Sequence, residues 1–78
     1  MKPGQDTLSM WTIYDHPKDY PDTYVARRWE VGPTGAMATR VLMTSEDLGW
    51  LREQMEDMGL TCLARVDGDD SKIVETWL

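Results

Sequence analysis

The stretch Trp11-Thr-Ile-Tyr-Asp-His-Pro-Lys-Asp-Tyr-Pro-Asp-Thr-Tyr-Val-Ala-Arg-Arg-Trp-Glu-Val31 decides the fold. Two runs of β-branched and aromatic residues flank a loop that holds two Pro, three Asp, one Lys and the only His of the chain. Met10 to Tyr14 alternates as a strand does. Pro17 and Pro21 push His16 and Tyr20 out of helical geometry, and Asp15, Asp19 and Asp22 are suited to bonding nearby backbone amides. Tyr24 to Val31 resumes a strand. Val25, Trp29 and Val31 fall on one of its faces, interrupted by Arg27, while Tyr24, Ala26, Arg28 and Glu30 fall on the other. The pattern is a hairpin with an exposed, chemically dense tip.

Outward from this hairpin, Gly32-Pro-Thr-Gly35 reads as a turn, and Ala38 to Met43 as a third strand. A helix follows. Thr44 or Ser45 supplies its N-cap, Glu46 and Asp47 put negative charge in its first turn, and Gly59 ends it. Leu48, Leu51, Met55 and Met58 form one apolar stripe with Trp50 at its shoulder, and Leu60 fits the apolar contact that accompanies a glycine C-cap. Leu60 to Val66 and Lys72 to Leu78 read as two strands around Asp67-Gly-Asp-Asp-Ser71. Residues 1–9 lack periodicity and read as a flexible N-terminal tail, with Met10 as an alternative start; residues 10–78 read as a single domain. The expected architecture is α+β, a small antiparallel sheet of four to five strands in the order β-β-(β)-α-β-β with one amphipathic helix packed on one face. Large apolar groups occur at both strand parities, so an open face would keep an apolar patch of the kind that marks a partner or dimer interface.

Composition narrows the function classes. Seventy-eight residues suffice for one small domain, which buries only roughly 60% of its unfolded surface and depends on large side chains. Four Trp and three Tyr, with no Phe, are that resource, and core packing is the expected place for Trp11, Trp29, Trp50 and Trp77. Fourteen acidic against eight basic residues give a net charge of −6. A nucleic-acid-binding domain is normally basic, because Lys and Arg displace counterions from phosphate, so no nucleic-acid partner is expected. No apolar run reaches the ~20 residues of a membrane helix, and the N-terminus shows no hydrophobic signal core, so no membrane partner and a cytoplasmic location are expected.

Catalytic and metal motifs are sparse. His16 beside Asp15 invites an acid/base or ligand reading, but adjacent strand-end residues usually point apart and no second His completes a zinc site. Asp67 to Ser71 is rich in carboxylates without the spacing of a calcium loop and reads as a polar hairpin turn. Cys62, the only cysteine, lies among apolar neighbours and reads as a buried, inert thiol. Arg27 and Arg28 point to opposite faces, so they cannot form one clamp, and pairing with acids on neighbouring strands is their expected role. No enzyme activity, cofactor or metal is expected.

Trp11 to Asp22, Val25 to Trp29, Met43 to Leu48 and Ile73 to Leu78 together resemble a group of short uncharacterised bacterial proteins that open on W-T-I-Y-D-H-P-x-D-Y-P-D. The resemblance covers nearly everything after Ser9 and implies one intact domain, with no activity, cofactor or site residue attached. The functional expectation is a non-enzymatic protein-binding or adaptor module of a bacterial cytoplasm. Its partner is another protein or a second copy of itself. His16, Lys18, Asp19 and Tyr20 at the hairpin tip, with Tyr24 and Arg28 on one strand face, are the candidate binding residues. Three rivals are a homodimer using the open aromatic face, an acidic inhibitor that mimics DNA, and a metal-dependent enzyme that would bind calcium or zinc around Asp67 to Ser71 or Asp15 to Asp22.

Overall fold

Alternating strand sequences and one amphipathic segment resolve into β1 (Leu8–Asp15), β2 (Tyr24–Gly32), β3 (Gly35–Ser45), α1 (Leu48–Asp57), β4 (Cys62–Leu63) and β5 (Ile73–Trp77). The structure, a computed structural model, describes residues 8–63 and 72–78. One antiparallel five-stranded sheet in the order β3-β2-β1-β5-β4 stands with one helix, an α+β fold. Asp67 to Ser71 and the far end of the strand expected over Leu60 to Val66 lie outside the described residues.

Residues directly opposed in an antiparallel pair share a sheet face, so the register sorts the side chains. Ile13 stands opposite Ala26 on one side and Glu75 on the other, while Trp11 stands between Arg28 and Trp77. Ala26 in turn opposes Met43. Leu51 and Met55 of α1 join Trp11, Ile13, Ala26 and Trp77 in one buried cluster, edged by Tyr24, Met43, Leu48, Leu60 and Val74. Full burial of a side chain such as Ile13 or Leu51 contributes about 1.5–3 kcal/mol, which is how so short a chain holds a core. Val74 enters as the extra residue of a bulge, because Glu75 opposes Ile13 whereas Ile73 opposes Tyr14.

Several local features depart from expectation. The helix is capped by Asp47, whose side chain accepts from the Gly49 amide at 2.9 Å, and not by Thr44 or Ser45. Those two residues are held in β3, opposite Val25 and Tyr24, and Ser45 instead accepts from the Asp47 amide through its hydroxyl. The helix end is as expected: Gly59 takes a left-handed φ of 78°, and the Leu60 amide donates to the Met55 carbonyl. The third strand outruns its expected range: Gly32 pairs with Gly35 across a two-residue turn at one end, and Ser45 pairs with Tyr24 at the other. Trp11 and Trp77 are buried as expected, but Trp50 is 43% exposed on the outer side of α1 and Trp29 is half-buried outside the cluster. Cys62 is exposed, because β4 is an edge strand with a neighbour on one side only.

Candidate interaction surface

The hairpin tip folds back over the sheet. Pro17 and Asp19 from the loop meet Tyr14, Val25 and Arg27 from the strands around a shallow recess of about 220 Å³. Val25 is 1% exposed beneath it, although its side of the sheet is the one opposite α1. Asp19 reaches Arg27 at 3.8 Å, and Arg27 also donates to the Thr39 carbonyl at 3.4 Å. An ion pair this long, with Asp19 largely exposed, adds little energy but fixes where the loop sits.

The expected site residues are divided between the two sides of the sheet. His16 takes a positive φ of 48°, which turns its Nδ1 onto the Asp15 carboxylate. The strand-end expectation that the two point apart therefore fails, since left-handed backbone breaks the alternation. The His16 ring also meets the edge of Tyr24, with centroids 4.9 Å apart. Tyr24 itself packs against the core on the helix side. Arg28 shares that side but lies four residues along β2, where it donates twice to Ser9 Oγ at 2.8 and 3.2 Å and stands 3.6 Å from Glu30. Lys18 and Tyr20 are exposed at the tip. His16 and Tyr24 thus form one cluster, Asp19 belongs to the other side with Arg27, and Arg28 belongs to neither. Arg27 and Arg28 do find carboxylates, from the loop and from β2 itself and not from a neighbouring strand.

Beyond these residues, the strand carboxylates share one side of the sheet. Asp15, Glu30 and Glu75, the acidic residues of the described strands, all lie on the helix side. Glu75 is nearly enclosed there. Arg52 donates to it from Nε at 3.0 Å and Nη2 at 2.9 Å, and Trp77 donates from Nε1 at 2.8 Å. The Glu75 hydrogen bonds hold the Arg52 guanidinium above its ordinary pKa. Nearby, partial loss of water around the Cys62 sulfur raises its thiol, Glu75 adds to the effect, and Arg52 opposes it. That direction leaves little thiolate for nucleophilic chemistry.

The side without the helix carries Leu8, Met10, Thr12 and Tyr14 of β1, Val25, Arg27, Trp29 and Val31 of β2, and Leu42 and Thr44 of β3. Met10 stands directly against Trp29 and Leu8 against Val31. Leu8 is 62% exposed, and Met10, Trp29, Val31 and Leu42 are half-buried. Trp29 Nε1 is enclosed with no acceptor among the described residues, a desolvation cost of about 1–3 kcal/mol. Sequence reading separated the two parities of β2, yet it did not reveal that the three acids of the described strands share one side of the sheet. That signal needs the register between strands.

Among the described residues no group of three or more His, Cys, Asp or Glu could hold a metal ion, and no helix is long and apolar enough to cross a membrane. Comparison with protein-family models, with curated proteins and with solved structures gave no match.

Proposed function

We propose that this chain is a non-enzymatic protein-interaction module of a bacterial cytoplasm, whose contact surface is the helix-free side of the sheet. The observation that carries this reading is that the strand carboxylates Asp15, Glu30 and Glu75 lie on the helix side, while the apolar strand residues Leu8, Met10, Trp29, Val31 and Leu42 lie on the other. A sheet face whose strands carry apolar groups and no carboxylate is suited to contact with protein. The hairpin tip, with Lys18, Asp19 and Tyr20, forms one border of this surface and supplies the polar rim that such interfaces use.

The test is affinity capture from native extract with the wild-type chain and with Leu8→Glu/Val31→Glu, a pair of substitutions at directly opposed positions. Far-UV circular dichroism verifies that the variant keeps its fold. A stoichiometric protein retained by wild type and lost by the folded variant supports the reading. Identical captures with both proteins would remove the face from the interaction.

A further inference from the structure

We propose that the recess beneath the hairpin tip is a binding site for a small monocarboxylate that carries an apolar group. Arg27 takes the carboxylate, and Tyr14, Pro17 and Val25 take the apolar part. The site goes beyond the interaction reading above and does not depend on it. Three observations carry it.

The first is an under-used guanidinium. Arginine's planar fork of N–H donors matches a carboxylate through two parallel hydrogen bonds. Arg52 shows the saturated case in this chain, holding Glu75 from Nε at 3.0 Å and from Nη2 at 2.9 Å. Arg27 has no such partner among the described residues. Its Nη1 donates to the Thr39 carbonyl at 3.4 Å, a long bond, and its Nη2 stands 3.8 Å from Asp19, beyond hydrogen-bonding distance. Its side chain is nonetheless only 26% exposed. A half-buried guanidinium short of acceptors gains more from an arriving carboxylate than a fully hydrated one does.

The second is its place. Arg27 lines a recess of about 220 Å³ together with Tyr14, Pro17, Asp19 and Val25. Val25 closes the base, and half-buried Tyr14 and Pro17 supply apolar wall. Apolar lining with few charged groups to fix orientation is the pattern of small-molecule sites. The volume lies below the ~300 Å³ at which sites for drug-sized ligands begin, so the ligand is a small one.

The third is charge. Asp19 already offers a carboxylate to this guanidinium, but it is 64% exposed and distant, so the pair is weak and a carboxylate seated at hydrogen-bonding distance displaces it. Asp19 and the net charge of −6 also set the class of anion. Both repel a dianion about twice as strongly as a monoanion, and one guanidinium balances one negative charge.

The experiment is an amide NMR titration of the full chain with sodium benzoate, with benzamide (the same ring without the charge) and inorganic phosphate as comparison probes. The expected result is saturable shifts at Tyr14, Asp19, Val25 and Arg27, with dissociation in roughly the millimolar range for so small a ligand. Benzamide and phosphate should bind at least about tenfold more weakly. Arg27→Lys keeps the charge and loses the fork, so it should weaken benzoate about fivefold. Asp19→Asn removes the competing carboxylate, so it should tighten benzoate about threefold. Circular dichroism verifies both folds, and the exposed Asp19 position keeps the test open if Arg27→Lys does not fold. No saturable shift at about 50 mM benzoate overturns the proposal. So does benzamide equal to benzoate, which would make the recess merely apolar, or phosphate equal to benzoate, which would make it a general anion site. A folded Arg27→Lys that binds undiminished, or an Asp19→Asn that binds no tighter, overturns it too. Failure here leaves the capture test above intact, because Leu8 and Val31 pair at the other end of β1 and β2 from Tyr14 and Val25.

Discussion

The two faces of one sheet, built from alternate residues of the same strands, have different fates. On the helix side, Ile13, Ala26, Leu51 and Met55 reach zero exposure, and even a carboxylate is accommodated because Glu75 accepts from Arg52 and Trp77. On the other side most apolar groups stop at half-burial, the described strands carry no carboxylate, and among the described residues Trp29 has a buried donor without an acceptor. Coverage by one short helix explains the contrast. The layer that α1 supplies satisfies a buried charge, while on the opposite side Leu8, Met10, Trp29, Val31 and Leu42 stay partly wet. Polar satisfaction, more than apolar content, separates the finished face from the unfinished one.

The contrast is sharpest at the core. Leu51→Ala should cost about 3 kcal/mol, the usual loss when a fully buried leucine leaves a cavity. Leu42→Ala on the other side should cost under about 1 kcal/mol in the monomer, as for other partly exposed positions. Urea unfolding at low micromolar concentration compares them; near-equal losses would mean that both faces carry the core. Arg52→Met should cost about 2 kcal/mol, below the 3–5 kcal/mol of a fully enclosed pair because Arg52 is itself half-exposed. A neutral outcome in the same assay would show that Glu75 does not depend on its guanidinium. The smallest effect belongs to the loop. Asp19→Asn should change stability by no more than about 0.5 kcal/mol, since its partner Arg27 is 3.8 Å away and Asp19 is exposed. A loss above 1 kcal/mol would move the tip from border ornament to structural clamp.

Much of this architecture was legible in local patterns. The alternation of Met10 to Tyr14, the helical recurrence of Leu48, Leu51 and Met55, and the left-handed stop at Gly59 each depend on neighbours a few residues away. What escaped depends on distant partners. Val25, Trp29 and Val31 make the more apolar side of β2, yet the core forms on the side of Ala26, because Ile13 and Trp11 are opposed to Ala26 and Arg28 in the register. Trp50 and Trp29 are as hydrophobic as Trp11 and Trp77, and only the position of the helix decides which are enclosed. The candidate site divided for the same reason. Tyr24 and Arg28 share a parity with each other but not with Asp19, whose loop folds across the opposite side.

The strand order has a consequence for how the chain assembles. β1, β2 and β3 are successive neighbours and close through short connections, whereas β1 meets β5 by pairing Trp11 with Trp77 across most of the chain's length. Closing so long a loop is slow relative to a hairpin, so the meander should form while the far edge of β1 is still bare. During that interval Trp11 lacks its indole neighbour and the backbone of β1 is open to a foreign strand. Pulsed hydrogen exchange during refolding should show β1–β2 amides protected ahead of those in β5. The moment of greatest exposure to aggregation is then set by the arrival of five residues, Ile73 to Trp77, which bring both the second core indole and the carboxylate that Arg52 awaits.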